Sequence, residues 1–161
     1  MKNPKEKGNS FERLVANKLT KWSGKKFMRT PSSGAIHNFN DRRVVSDIVP
    51  SMEVGEFPFS IECKKVQCSW EFSSLLEGTS TTLQKHWRQC LDDASQEGLR
   101  PMLIFSKNYR KIYTMIREDD FAFYQLTVLP RIVICTLDTE LTIFNFEDFL
   151  SSTPLKQLLS V

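Results

Sequence analysis

Val44-Val45-Ser46-Asp47-Ile48-Val49 and, after a turn at Glu53-Val54-Gly55-Glu56, Ile61-Glu62-Cys63-Lys64 are the stretches on which the reading of this chain depends. Side chains on a strand alternate faces, so Glu62 and Lys64 point the same way, roughly 7 Å apart. Phe59, Ile61 and Cys63 then fill the opposite, buried face. In the first stretch Val45, Asp47 and Val49 share a face, and pairing the two runs as a hairpin brings Asp47 beside Glu62. Two carboxylates and a lysine on one sheet face suit a hard divalent cation and an activated water. The plain alternative is an exposed strand face carrying a Glu/Lys ion pair. The rest of the chain bears on the choice.

The 161 residues, 40% apolar with twelve phenylalanines, fit one compact domain over 1–161 with a substantial core. No apolar run approaches the ~18 residues that span a bilayer, and the N-terminus leads into an amphipathic pattern rather than an apolar signal core. The expectation is a soluble cytoplasmic protein without a membrane partner. Four cysteines stand at 63, 68, 90 and 135 without zinc-like spacing. His86 and Cys90 are four apart on an expected helix, but no further ligands are evident, so reduced structural thiols are the better reading.

Charge is unevenly distributed. Residues 1–43 carry eleven Lys/Arg against three acids, a net of +8, whereas residues 44–161 carry eleven against sixteen, a net of −5. A basic third on a nearly neutral chain suits a polyanion, or is simply a solvated basic helix. This basic region leads directly into the acidic pair.

Asn9-Ser10-Phe11-Glu12 reads as the opening of a helix whose apolar stripe is Phe11, Leu14, Val15, Leu19 and Trp22, stopped at Gly24. Asn9 as cap with Glu12 three residues later matches a capping box, which would give this carboxylate a structural task. Its position at the flank of the stripe also lets it emerge at the helix–sheet boundary. A short strand over 25–30 follows, then Pro31-Ser32-Ser33-Gly34, read as a turn, and a polar loop from Ala35 to Arg43. Residues 67–82 read as irregular, with Trp70 and Phe72 as anchors or wedges. A second helix runs from about Thr81 to Glu97, with Leu83, Trp87, Cys90, Leu91 and Ala94 inward and Gly98 as its stop. Gln84 and Gln89 on this helix would ordinarily be solvent-facing amides. Strands are expected at 101–105, 111–116, 131–137 and 141–146, with a short helix near 147–150. The pattern is α/β: helix, three strands, helix, two strands, then a strand-rich extension over 118–161.

The series Gly8-x-x-x-Glu12-Arg13, Arg29-x-Pro31-x-Ser33-Gly34, Asp47-Ile48-Val49 and Ile61-Glu62-Cys63-Lys64 resembles the archaeal-type Holliday junction resolvases of the PD-(D/E)xK nuclease superfamily. The likeness covers about residues 8–117, by motif up to Lys64 and by pattern beyond it. It implies a restriction-endonuclease-like core, a central mixed β-sheet flanked by helices. It implies that Asp47 and Glu62 bind metal directly, with the Cys63 carbonyl as a further oxygen. Glu12 would help hold metal or its water, Lys64 would orient the attacking water, and Ser33 would lie near the scissile phosphate. Lys7 belongs to the basic stretch that would meet DNA, and Arg13 and Arg29 match positions that contact its backbone. Arg42 and Arg43 close the polar loop and would grip DNA, or pair with Asp41 instead. Ser46 stands where the superfamily has Pro or Gly, and the 35–43 loop is longer than in compact members.

Phosphodiester hydrolysis needs an activated water and neutralised phosphoryl oxygens, which Mg²⁺ (or Mn²⁺ in its place) supplies. The expected function is a metal-dependent endonuclease acting as a homodimer on four-way DNA junctions. Another PD-(D/E)xK endonuclease of restriction, homing or repair type, or an inactive DNA-binding scaffold, are the competing readings.

Overall fold

A computed structural model describes residues 4–30, 37–39, 42–66, 82–107, 111–136 and 139–159. Helix α1 (Pro4–Ser23) precedes strands β1 (Phe27–Arg29), β2 (His37–Phe39), β3 (Arg42–Val44), β4 (Ile48–Pro50) and β5 (Phe59–Val66). Helix α2 (Thr82–Glu97), strands β6 (Arg100–Lys107) and β7 (Ile112–Arg117), and helix α3 (Glu118–Phe123) come next. Strands β8 (Arg131–Cys135) and β9 (Glu140–Asn145) and helices α4 (Phe146–Ser152) and α5 (Leu155–Leu159) complete the order. Seven strands form one sheet in the order β1-β4-β5-β6-β7-β9-β8, while β2 and β3 pair separately. Among the described strands only β5 and β6 run parallel, and such a pair needs a crossover, which contains α2. The expected mixed sheet flanked by helices is therefore present.

The alternation of β5 explains the layers. Phe59, Ile61 and Cys63 join the core beneath α1, with Val15, Leu19, Met102 and Ile104. Leu103 and Phe105, of opposite parity on β6, pack instead with Leu83, Trp87 and Cys90 of α2. Because β5 lies inside the sheet and is covered on both faces, its polar residues Ser60 and Glu62 are buried too. The solvent-facing strand of the plain alternative is excluded.

Several expectations change. α1 begins at Pro4, which suits a first helical turn because its missing N–H has no intrahelical acceptor to lose. Asn9 therefore lies inside the helix, and the capping box does not form. Gly8-Asn9-Ser10 imitates a helix start, but Ser10 donates its hydroxyl to Glu6 O at 2.6 Å within a continuous helix. Leu14 is 45% exposed, and Ala16 takes its place in the stripe. The polar loop over 35–43 is in part the β2–β3 hairpin. Residues 31–36, including Ser33, lie outside the described residues, as do Cys68, Trp70 and Phe72.

The region 118–161 is less strand-rich than its pattern suggests, since α3 and α5 accompany β8, β9 and α4. It shares the core under α1. Trp22 meets Phe149 at a tilt, with ring centroids 5.7 Å apart, and donates its indole N–H to Thr153 O at 2.7 Å. Lys18 pairs with Glu147 at 2.8 Å.

Candidate active site

The antiparallel register of β4 and β5 pairs Ile48 with Ile61 and sets Asp47, just before β4, opposite Glu62. The Asp47 N–H donates to Ile61 O at 2.9 Å, and the Asp47 O accepts from Thr30 N at 2.9 Å. Its carboxylate Oδ2 accepts the Cys63 N–H at 2.8 Å. Asp47 is thus tied to both neighbouring strands. Glu62, 3% exposed, forms an ion pair through Oε1 with Lys64 Nζ, two residues along on the same face.

Helix α2 closes the site with a polar stripe set at helical spacing. Gln89 donates its amide to Glu62 Oε1 at 2.8 Å. Asp93, one turn on, hydrogen-bonds the same glutamine. Glu97, a further turn on, accepts the backbone N–H groups of Val45 and Ser46 at 2.7 and 2.8 Å through one oxygen. It thereby holds the segment that carries Asp47. His86, one turn before Gln89, is half-buried, and burial followed by the Lys64 charge lowers its pKa. Gln89 is exposed, as its sequence position suggests, yet its amide reaches inward to Glu62. Nothing local marked Glu97 as the partner of a segment some fifty residues earlier.

From the other layer, Glu12 is 9% exposed and paired with Arg29 Nε, while Arg29 Nη2 donates to Asn9 Oδ1 at 2.8 Å. Arg29, expected on DNA, is turned into the site. Arg13 is exposed and Lys7 half-buried on α1; of Arg42 and Arg43, β3 fixes the backbone.

Burial raises the Asp47 pKa, the Cys63 N–H lowers it, and the Glu12 charge raises it. Burial and then the Asp47 charge push Glu62 up to about 8. Lys64 is pulled down by burial but raised on balance by Glu62 and Asp47, so it stays a cation. The acidic pair retains a proton when only protein surrounds it, the electrostatic condition that a divalent cation relieves. Among the described residues, no group of three His, Cys, Asp or Glu side chains forms a cage. Two facing carboxylates and a strand carbonyl fit Mg²⁺, which binds through one or two carboxylates and keeps its waters, better than they fit zinc. Cys63 and Cys90 are buried free thiols with raised pKa, as structural cysteines are.

A mixed sheet carrying Asp47 across from Glu62-x-Lys64 defines a nuclease-type hydrolase of the PD-(D/E)xK class. The chain belongs to the family described as "Phage putative PDDEXK endonuclease", whose model matches residues 3–160. This family model takes in residues 118–160, for which the motifs alone offered no counterpart. The chain is also similar to Protein D14 of Escherichia phage T5, 26% identical over 156 residues that cover 96% of each chain. No solved structure gives a significant match. No helix among the described residues is long and apolar enough to cross a membrane.

Proposed function

We propose that this chain is a Mg²⁺-dependent endodeoxyribonuclease that resolves four-way DNA junctions. The observation that carries the nuclease chemistry is the facing pair Asp47 and Glu62, buried beside Lys64, where burial and the Asp47 charge raise the Glu62 pKa. Asp47, Glu62 and the Cys63 carbonyl hold the cation in this reading, and Mn²⁺ can replace it. When bound, the cation neutralises charge on the phosphoryl oxygens and eases deprotonation of the attacking water. Lys64 orients that water and balances the developing charge.

Glu12 reaches the same water from α1, and Arg29 fixes Glu12 rather than gripping DNA. Lys7, Arg13, Arg42 and Arg43 neutralise backbone phosphates without reading bases, and Ser33 stands by the scissile phosphate. The junction as substrate is supported by the order of motifs from Glu12 to Lys64 and by the net +8 of residues 1–43. A homodimer would match the near-two-fold arms of such a substrate.

The test is cleavage of a synthetic four-way junction and of a linear duplex of the same sequence in Mg²⁺, with nicks mapped. Paired nicks on opposed strands of the junction, with the duplex intact, are expected. Equal cutting of the duplex would move the chain to restriction, homing or repair chemistry, and binding without nicking would make it a scaffold.

A further inference from the structure

The two edges of the seven-stranded sheet are finished differently. β1 is three residues long, follows Lys25-Lys26 and ends in Arg29, so shortness and charge blunt it. β8 reads Arg131-Ile132-Val133-Ile134-Cys135, with three β-branched residues in succession and neither lysine nor proline inside it. Ile132 and Val133 are 46% and 41% exposed. Its backbone edge is also open. The Thr136 N–H donates to Thr139 O at 2.9 Å, which sets the hydrogen-bond alternation along the β8–β9 pair. Ile132 and Ile134 therefore turn their N–H and C=O toward β9. Arg131, Val133 and Cys135 turn theirs outward, where no described strand lies.

We propose that β8 is a self-association edge, on which a second copy of the chain pairs antiparallel about a two-fold axis at Val133. The strand itself selects this register. With Val133 on the axis, Arg131 meets Cys135 of the second copy, and all three outward-facing residues exchange backbone hydrogen bonds with their opposites. A slip of one residue would set outward groups against inward ones.

Side chains match in the same register. Ile132 stands opposite Ile134 of the second copy and extends the apolar layer of Leu141 and Ile143 beneath α2. On the other face, Arg131 of one copy lies opposite Cys135 of the other, whose neighbour on β9 is Glu140. Arg131 is held within its own copy by Glu118 at 3.1 Å and lies over the Phe121 ring, and two strand spacings, about 10 Å, separate its strand position from that Glu140. The two-fold repeats this placement of a basic strand start beside an acidic one and the Ile132–Ile134 match, whereas an unrelated strand would offer the ladder without that reciprocity. A ladder this short buries less than the roughly 1,200 Å² of a standard stable interface, so association is reversible and concentration-dependent.

Sedimentation velocity of the full chain across micromolar concentrations, without DNA or metal, reads the dimer independently of the nuclease proposal. Val133→Pro removes an N–H that β9 does not use, and Val133→Lys places like charges on the axis. A concentration-dependent dimer is expected for the parent chain. Both variants should be monomeric, with unchanged circular dichroism. Val133→Cys should also form a disulfide between copies under mild oxidation, because hydrogen-bonded antiparallel pairs hold Cα atoms about 5.5 Å apart. A parent chain that is monomeric throughout, with no 133–133 disulfide, overturns the proposal. So does a dimer that persists in the folded variants.

Discussion

The sheet buries opposite kinds of residue at its two ends. Around β4 and β5 the interior holds Glu62, Ser60 and Ser46, with Glu12 beside them and two acids facing each other across a ladder. Around β7 and β9 it holds Phe121, Phe144, Phe146 and Phe149, whose rings meet at 5.5 to 6.5 Å. Of the polar groups buried there, Asp120 pairs with Arg100 and Thr142 with Glu118, while the Thr114 hydroxyl and the second Asp120 oxygen have no hydrogen-bond partner among the described residues. Like charges directly opposite on a sheet destabilise it, and fully buried aromatic rings stabilise it. The difference separates the part of the molecule that acts from the part that keeps it folded.

Replacing either facing acid tests that separation most strongly. Asp47→Asn and Glu62→Gln should each lower cleavage by about 10³-fold or more while leaving the melting temperature unchanged or higher, because the repulsion is relieved. Near-parental turnover in saturating Mg²⁺ would show that the pair is not the site. Phe149→Ala should do the reverse. It should cost about 3–5 kcal/mol in a denaturant titration, while the folded fraction cuts at the parental rate.

Glu12→Gln distinguishes catalysis from support, since the capping task is already excluded by the position of Asn9 within α1. The variant should fold normally and cut about 10–100-fold more slowly, and full activity would confine Glu12 to its pairing with Arg29. Glu97→Ala removes the acceptor of two backbone N–H groups and should cost about 1–3 kcal/mol. Cleavage should fall with it, because Asp47 follows directly; unchanged kinetics in the folded protein would detach the α2 stripe from the site.

The last effect lies in pH, and it is the smallest when taken per pH unit. Burial and the Asp47 charge push Glu62 up to about 8 in the folded chain, against an ordinary glutamate value of 4.5. Between those limits the native state holds a proton that the unfolded state has released. Stability without metal should therefore fall as pH rises through this window, by at most about 1.4 kcal/mol per unit. Mg²⁺ should flatten the slope by displacing that proton, and Glu62→Gln should abolish it. Thermal melts at several pH values, with and without Mg²⁺, measure both effects.

Local chemistry was legible in the sequence wherever a short period or a single residue decides. The alternation of Phe59, Ile61 and Cys63 against Glu62 and Lys64 defined the faces of β5, and Gly24 and Gly98 end their helices with φ of 69° and 66°. The facing of Asp47 and Glu62 followed from reading the two runs as an antiparallel pair in which the buried faces coincide, although residues 51–58, with a 3-10 turn over Met52–Val54, connect them. The extent of α1 was not legible, because Gly8-Asn9-Ser10 carries the signals of a helix start while the longer helix prevails through its packing. Nor could local pattern assign Arg29 to Glu12, Gln89 to Glu62, or Glu97 to the amides before Asp47. Those contacts join segments 17 to 52 positions apart. Only the crossover of α2 over β5, and the laying of α1 beneath the same sheet, bring them within hydrogen-bond range. Periodicity says which side of an element is buried; which element covers it is decided when all the layers close on a single core.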